Sequence, residues 1–261
     1  MKILVKVSGK MTKRVNFLPI AEEIADLVNE GHQVIIVHGG GNEITEMLDK
    51  LGVETKFVNG LRVTTKEVLN VVEMVLCGRV NKRLVSVMQE AGIPSIGISG
   101  KDGNFIEAEM YNPELGFVGK IKRVNTTILE NILNAGYVPV IAPVGTDLSG
   151  NSLNINADTV ASYVAGAMGV DHLFLITDVP GIINEKGEVI DTITLDEIEK
   201  ISQAEFIKGG MIPKLKAAKD SLLMGTEFVH IINWTGKGSI KKQIIHMENG
   251  TTLRRSYSWV M

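Results

Sequence analysis

Three consecutive glycines are the first feature of the chain that could bind a charged ligand. Gly39, Gly40 and Gly41 follow the apolar run 34–37 and precede residues of helical periodicity, so they fall between a strand and a helix. A backbone without Cβ atoms can approach a ligand closely, and the start of a helix offers unpaired N–H groups and a partial positive charge. A tight turn alone would need one or two glycines. The triplet therefore favours an anion site, although it does not identify the anion.

Two lysines lie where such an anion could meet positive charge. Lys6 is near the carboxyl end of the first apolar run, and in a parallel sheet that edge lines the ligand crevice. A strand-end lysine that reaches solvent is the simpler interpretation of Lys6. Lys214 follows Gly209, Gly210 and Pro213 at an expected helix start, where a positive charge opposes the helix dipole. An anion site and a solvated basic helix face explain Lys214 equally well.

Polar residues gather ahead of an alanine-rich helix predicted at 157–168. Asn154 and Asn156 share one face if the segment is extended, Asn156 could cap the helix, and Asp158 would complement its dipole. Capping explains one or two of these residues but not all three. Arg62 lies in a loop before another helix and suits a bidentate bond to a carboxylate, although a lone arginine is more often a surface residue.

Two common nucleotide motifs are absent from the sequence. A P-loop requires Ser or Thr after its Gly-Lys pair, but the Gly-Lys pairs here are followed by Met11, Asp102, Ile121 and Gly238. A dinucleotide fingerprint requires G-x-G-x-x-G in the first strand-to-helix turn, which contains only Gly9. A nucleotide would therefore bind by another arrangement. The histidines and the cysteine show no metal-ligand spacing.

These residues need a scaffold, and the alternation of apolar runs with helical periodicity predicts one. Short runs such as 3–7, 34–37 and 173–177 alternate with helical segments for most of the length. Fully apolar strands between helices indicate an α/β fold whose mostly parallel sheet is covered on both faces. Gly- and Asn-containing segments at 101–104 and 184–188 predict antiparallel hairpin ribbons at the edge of that sheet.

Composition places the chain among soluble globular proteins. Its 261 residues are 44% hydrophobic and 22% charged, which supplies a core and argues against disorder. A net charge of −3 argues against a nucleic-acid partner. The single cysteine, Cys77, fits a reducing compartment, and no apolar run approaches the roughly 20 residues of a membrane helix. We expect a cytoplasmic protein without nucleic-acid or membrane partners.

Taken in this order, the motifs resemble those of the amino acid kinase family. The resemblance covers almost the whole chain without large gaps. The matching segments are Lys6–Gly9, Val37–Gly41, Asn59–Thr64, Gly119, Asn154–Asp158, Thr177–Gly181 and Gly209–Lys214. The resemblance is greatest to the branch whose members use ATP to phosphorylate the side-chain carboxylate of N-acetyl-L-glutamate on the route to arginine.

The resemblance implies a three-layer αβα sandwich of the carbamate kinase type with one continuous sheet. Residues 1–170 would form an N-terminal lobe for amino-acid binding and dimerisation, and residues 171–261 a C-terminal lobe for ATP. Mg²⁺ would be held largely by phosphates and water, without dedicated protein ligands. Arginine-inhibited relatives carry an additional helix before the first strand. In this sequence the first strand is expected to begin by about residue 2. The resemblance therefore implies a homodimer that is insensitive to arginine.

The resemblance also implies a role for each residue that matches a family motif. Lys6 and Lys214 would stabilise the transferring phosphoryl group from opposite sides, and Asp158 would orient both lysines. Backbone N–H groups near Gly9 and Gly39–Gly41 would hold phosphates. Four residues would contact the acceptor: Gly40, Gly41, Arg62 and Asn154. Seven residues would contact the nucleotide: Asp178, Val179, Gly181, Ile182, Phe206, Ile207 and Lys208.

Two positions depart from the family pattern, and two other functions stay open. The family usually has a second glycine where Ser8 stands, and an apolar residue is common where Lys10 stands. A sister kinase that acts on glutamate or aminoadipate attached to an acidic carrier protein is the nearest alternative. A non-catalytic sensor of nucleotide or amino acid is another, although a sensor has no need of both Lys6 and Lys214.

Overall fold

The computed structural model describes residues 1–58 and 60–255. Asn59 of the predicted arginine-containing motif and residues 256–261 of the predicted ATP lobe lie outside the described residues. Within the described part the strands are β1 (Lys2–Val7), β2 (Gln33–His38), β3 (Phe57–Val58), β4 (Leu61–Arg62), β5 (Ser95–Ser99), β6 (Ile106–Met110), β7 (Gly119–Val124), β8 (Val138–Ala142), β9 (Val144–Thr146), β10 (Ser152–Asn154), β11 (His172–Thr177), β12 (Thr192–Thr194), β13 (Phe228–Asn233) and β14 (Thr251–Arg254).

The α-helices alternate with these strands along most of the chain. They are α1 (Arg14–Asn29), α2 (Gly41–Lys50), α3 (Lys66–Glu73), α4 (Asn81–Glu90), α5 (Thr127–Asn134), α6 (Ala157–Met168), α7 (Leu195–Ser202), α8 (Met211–Met224) and α9 (Ser239–His246). Among the described residues, no helix is long and apolar enough to cross a membrane.

One eight-stranded sheet runs through the molecule in the order β12-β14-β13-β11-β1-β2-β8-β5. Its neighbours are parallel except for β13 and β14, which pair in antiparallel fashion. The first part of the chain forms one half of the sheet, β1-β2-β8-β5, and the second part forms the other half, β11-β13-β14-β12. The order therefore reverses between the adjacent strands β1 and β11, and ligands bind beyond the carboxyl ends of strands at such a switch point.

Helices cover both faces of this sheet, as the sequence predicts. On β1, alternation directs Ile3, Val5 and Val7 into one apolar cluster and Leu4 into another. The first cluster includes side chains from α1, α2, α3, α4 and α9, and the second includes side chains from α5, α6, α7 and α8. The predicted three-layer arrangement is confirmed. Lys6 alternates with Val5 and Val7, which places it on the Leu4 face.

A smaller mixed sheet, in the order β10-β9-β6-β7, lies outside the large one. The prediction of a hairpin at 101–104 is wrong, because the Asp102 carboxylate accepts bonds from the Ser99 N–H (2.6 Å) and hydroxyl (2.9 Å) and closes a single helical turn. That turn leads β6 out of the large sheet to pair with β7. At 184–188 the predicted ribbon is present as a turn closed by one antiparallel bridge, Ile183 to Val189.

The long helix predicted at 65–91, with a bend near Gly78, is interrupted where the bend is expected. A π-helical segment, Met74–Val80, joins α3 to α4 and contains Gly78. A Cβ atom added at Gly40 would lie 2.6 Å from Leu76 Cδ2. The π-helical segment therefore packs directly against the glycine triplet.

Candidate active site

Three charged side chains from distant parts of the sequence meet at the carboxyl end of β1. The Asn156 side chain caps α6 by accepting a bond from the Asp158 N–H (2.8 Å), which fixes Asp158 in the first turn. Lys6 Nζ lies 2.8 Å from Asp158 Oδ1. Lys214 Nζ, from the first turn of α8, lies 3.0 Å from Asp158 Oδ2. One carboxylate therefore holds both predicted lysines.

The charged cluster is almost closed to solvent, and this burial shifts the pKa values of its members. The side chains of Lys6 and Asp158 are 7% and 6% exposed. Burial lowers the pKa of Lys6, and the charge of Lys214 lowers it further, against the opposing effect of Asp158. Burial alone would raise the pKa of Asp158, but the two lysines outweigh it and hold that pKa below its usual range. With both lysines protonated the cluster has one net positive charge.

The two glycine turns touch each other beside this cluster. A Cβ atom at Gly9 would lie 3.2 Å from the Gly40 nitrogen, and one at Gly39 would lie 3.1 Å from the Gly9 nitrogen. Both contacts are tighter than an ordinary side chain tolerates without backbone movement. Because α2 begins at Gly41, its first N–H groups have no partner within the helix. Such a helix start suits an anion.

His38 holds the carbonyl group of Gly39, the first residue of the glycine triplet. Burial lowers its pKa to about 4, so the imidazole is neutral near pH 7. Its Nδ1 lies 2.9 Å from the Gly39 carbonyl oxygen, and its Nε2 lies 3.2 Å from Asn81 Nδ2. The neutral ring therefore donates from Nδ1 and accepts at Nε2. The role of Asn81 could not be predicted from the sequence, since a lone asparagine within a long helical pattern gives no signal.

Arg62 also reaches the glycine triplet. Its guanidinium donates to the Gly41 carbonyl oxygen (3.0 Å) and to Thr45 Oγ1 (2.8 Å). The aromatic ring of Phe57, on the neighbouring strand β3, lies under it, 4.6 Å from the guanidinium carbon. This arginine is buried and held by several contacts, unlike the surface arginine that is the more common case for a lone arginine in a loop.

A cavity of about 220 Å³ brings the predicted acceptor residues together. Its lining includes Gly9, Gly39, Gly40, Gly41, Arg62 and Asn154. The Asn154 amide donates to Thr64 Oγ1 (3.1 Å), which fixes its orientation. A second cavity of about 650 Å³ shares Leu61 and Asn156 with the first and is lined by Asp158 and Lys214. The acceptor cavity and the charged cluster are therefore adjacent.

The predicted nucleotide residues follow β11 and α7 and are less concentrated. Asp178 is exposed and pairs with Lys10 at 2.5 Å. Ile182 and Ile207 are buried in the apolar core. The Ile182 N–H donates to Thr251 Oγ1 (2.8 Å), and its carbonyl oxygen accepts from the Ile190 N–H (2.8 Å), so the backbone of Ile182 is also engaged within the chain. The Ile207 N–H donates to the Ala204 carbonyl oxygen (3.0 Å). Among the described residues, the two cavities above contain none of the seven. Ser8 adopts an extended backbone, φ −67° and ψ 155°, that a second glycine is not needed to reach.

The fold and the charged cleft define a phosphotransferase, and the comparisons give its family. The family model described as "Amino acid kinase family" matches residues 1–233. The chain belongs to the amino acid kinase family. An acetylglutamate kinase of Geobacillus kaustophilus (strain HTA426) is 43% identical over 254 residues, which cover 97% of this chain and 96% of that protein.

Solved structures confirm the predicted fold. Protein smu.665 from Streptococcus mutans UA159 superimposes with a TM-score of 0.84 at 29% identity, over 98% of this chain and 99% of that one. Carbamate kinase from Giardia lamblia bound to AMP-PNP superimposes with a TM-score of 0.71 over 98% of both chains. At 14% identity, this second likeness concerns the fold alone.

Proposed function

We propose that the protein transfers the γ-phosphoryl group of ATP to the side-chain carboxylate of N-acetyl-L-glutamate. The product is N-acetyl-L-glutamyl 5-phosphate, an intermediate of arginine biosynthesis. The observation that carries the proposal is the placement of Lys6, Asp158 and Lys214 next to two glycine turns and a small cavity lined by Arg62. Similarity to an acetylglutamate kinase over nearly the whole length supports the choice of acceptor.

The two lysines supply the charge that phosphoryl transfer needs. An oxygen of the acceptor carboxylate attacks the γ-phosphorus, the bond from that phosphorus to the bridging oxygen breaks, and ADP leaves. The acceptor is ionised near pH 7, so no general base has to remove a proton. Lys6 and Lys214 stabilise the negative charge on the phosphoryl oxygens. Asp158 holds both ammonium groups in place before the substrates arrive.

The acceptor binds in the smaller cavity. Arg62 supplies a positive charge for the α-carboxylate, and its bonds to Gly41 and Thr45 fix its direction. Asn154 meets the acetamido group. Gly40 and Gly41 stand at the start of α2, and their N–H groups meet the acceptor. Four residues from β4, β10 and the start of α2 thus define both ends of a short dicarboxylate.

The nucleotide binds along the segments that follow β11 and α7. Asp178, Val179, Gly181 and Ile182 line one side, and Phe206, Ile207 and Lys208 the other, while the N–H of Gly9 holds a phosphate. The Gly39 N–H is not the free donor that the sequence predicts, because it donates to the Val7 carbonyl oxygen (2.9 Å), so Gly39 contributes only the close approach that a residue without a Cβ atom allows. Both oxygens of Asp158 are engaged by lysines, so this carboxylate is not available to a metal. The donor set fits an Mg²⁺ ion that phosphate oxygens and water hold, and that ion lowers the negative charge of the phosphates.

The remaining features follow the same family resemblance. Residues 1–170 form the lobe that binds the amino acid and residues 171–261 the lobe that binds ATP, on one sheet in which β1 pairs with β11. The protein is a cytoplasmic homodimer, and its single cysteine suits a reducing compartment. Light scattering coupled to gel filtration tests the dimer, and activity at millimolar arginine tests the expected insensitivity.

Trapping of the acyl phosphate with hydroxylamine tests the activity. The purified protein is incubated with ATP, Mg²⁺ and one acidic acceptor at a time: N-acetyl-L-glutamate, L-glutamate, L-aspartate or a glutamate attached to a carrier protein. We expect a hydroxamate and ADP in equal amounts with N-acetyl-L-glutamate. Product with the carrier-bound acceptor and none with the free one would assign the sister activity. Binding of both substrates without ADP release would identify a sensor.

A further inference from the structure

An ion pair lies behind the two glycine turns, and the proposed chemistry does not use it. Glu43 stands in the first turn of α2, two residues after Gly41, and its side chain is only 7% exposed. Arg83 of α4 binds it in a bidentate manner, with NH1 3.1 Å from Oε2 and NH2 2.5 Å from Oε1. Arg79 of the π-helical segment lies 3.7 Å from the same carboxylate.

The same pair is bonded to the other glycine turn. Arg83 Nε donates to the Thr12 carbonyl oxygen at 3.0 Å. The Thr12 hydroxyl lies 2.8 Å from the Gly9 carbonyl oxygen and 3.1 Å from Glu43 Oε1. Glu43 is therefore linked to Gly41 through the chain and to Gly9 through Thr12. The two turns that meet at Gly9 and Gly40 share one charged support.

Stability alone does not account for this arrangement. Burial would raise the pKa of Glu43, but the bonds and charge of Arg83, together with Thr12, outweigh it and hold the pKa below its usual range, so the carboxylate stays charged. Removing two charges from water offsets most of their attraction, and apolar residues of similar volume serve a core as well. A bidentate fork does, however, fix the relative position of the elements that carry it.

We propose that Glu43 and Arg83 are positioning residues, which hold the two glycine turns at the separation that phosphoryl transfer requires. This inference rests on the proposed function. In the proposed reaction the N–H groups of Gly9, Gly40 and Gly41 meet phosphate oxygens, and they stabilise developing charge only where those oxygens come to lie. A displacement of about 1 Å in such a site can lower the rate on the order of 10²-fold. Loosening the support should therefore affect kcat more than binding.

The test compares Glu43→Gln with a matched control, Glu23→Gln. Glu23 is a fully buried carboxylate that accepts bonds from Trp234 Nε1 (2.7 Å) and from the Ile240 N–H (2.7 Å) at the start of α9, away from the glycine turns. We expect Glu43→Gln to lower kcat about 10- to 100-fold, with KM for ATP and acceptor changed less than about threefold. Glu23→Gln should lower the urea midpoint and leave kcat within about twofold of wild type.

A second variant, Thr12→Val, keeps the inference testable if Glu43→Gln does not fold. It removes only the hydroxyl that joins the Gly9 turn to Glu43 and should lower kcat about 3- to 10-fold at unchanged KM. In the double variant the two losses in kcat should not multiply, because both changes break one connection. A Glu43→Gln enzyme with wild-type kcat and reduced stability would overturn the inference. Lack of hydroxamate from the wild-type enzyme would instead overturn the proposed function.

Discussion

Two Lys–Asp pairs connect the beginning of the chain to its second half, and they differ mainly in their surroundings. Lys6 and Asp158 are 2.8 Å apart with side chains 7% and 6% exposed. Lys10 and Asp178 are 2.5 Å apart with side chains 65% and 61% exposed. Both pairs lie at the carboxyl end of β1, and their lysines are four residues apart along the sequence. A third charge, Lys214, joins the buried pair only.

The comparison shows that the N–O distance of an ion pair does not indicate how much the pair contributes to stability. An exposed ion pair contributes about 0–1 kcal/mol, because water and salt screen it and both side chains lose freedom. In the buried cluster the loss of Asp158 leaves two uncompensated lysine charges away from water, which costs about 3–5 kcal/mol. The shorter contact is therefore the weaker one. The buried cluster is held in place strongly enough to act on a phosphoryl group, whereas the exposed pair can exchange partners.

The largest expected effect concerns the charge of the buried cluster. Lys6→Met and Lys214→Met should each lower kcat on the order of 10²–10³-fold, because each removes one donor to the phosphoryl oxygens in the transition state. KM for ATP should change less. Lys10→Met is the matched control and should keep kcat within about threefold of wild type. Steady-state ADP release measures all three. Equal losses of turnover and nucleotide affinity would contradict a role in the transition state.

The next effect is on stability. Asp158→Asn removes the negative charge that pairs with both Lys6 and Lys214 and should lower the free energy of unfolding by about 3–5 kcal/mol. Asp178→Asn makes the same chemical change on the exposed pair and should lower it by less than about 1 kcal/mol. Urea unfolding of both variants measures the difference. Similar losses from the two substitutions would mean that burial does not separate the two pairs.

Sequence reasoning could predict the scaffold because periodicity reports burial directly. The runs 3–7 and 173–177 are apolar except for Lys6 and Thr177, and both form interior strands of the parallel sheet. The π-helical segment around Gly78 was foreseen only as a bend, since a single glycine does not specify how a helix is interrupted. The turn at 101–104 was misjudged because Asp102 bonds back to Ser99, and no pattern of hydrophobicity reports such a bond.

The site was predictable as separate motifs, whereas its assembly was not. The residue type and position of Lys6 allowed both a solvated lysine and an anion site, and only the contact with Asp158 decides between them. Glu43 and Arg83 gave no signal, because each looks like an ordinary charged residue on a helix surface. Their burial depends on elements that are far apart in the sequence. Long-range pairing of this kind is decided by the tertiary fold.

The pH dependence of activity should distinguish the two lysines near the carboxyl end of β1. Burial lowers the pKa of Lys6, so this group loses its proton as pH rises while it is still below the 10.5 of an ordinary lysine. The protonated form is the active one, so kcat/KM for ATP, which reports the free enzyme, should fall on the alkaline side with a midpoint below 10.5. Whatever activity Lys6→Arg retains should lack this alkaline limb, because arginine keeps its proton. Lys10→Arg should leave the alkaline limb in place. Loss of the limb in Lys10→Arg would mean that Lys10, and not Lys6, is the group that titrates.

The smallest effect is the dependence of the exposed pair on salt. A double-mutant cycle with Lys10→Met and Asp178→Asn should give a coupling of about 0.2–1 kcal/mol in unfolding free energy at low ionic strength. Screening shortens the range of exposed charges to about 3 Å at 1 M salt, so the coupling should fall toward zero there. A cycle with Lys214→Met and Asp158→Asn should keep most of its coupling, since salt ions do not enter a cluster whose side chains are 13% exposed or less. A coupling between Lys10 and Asp178 that persists at 1 M KCl would mean that this pair is shielded from solvent in solution, and the contrast between the two pairs would then be lost.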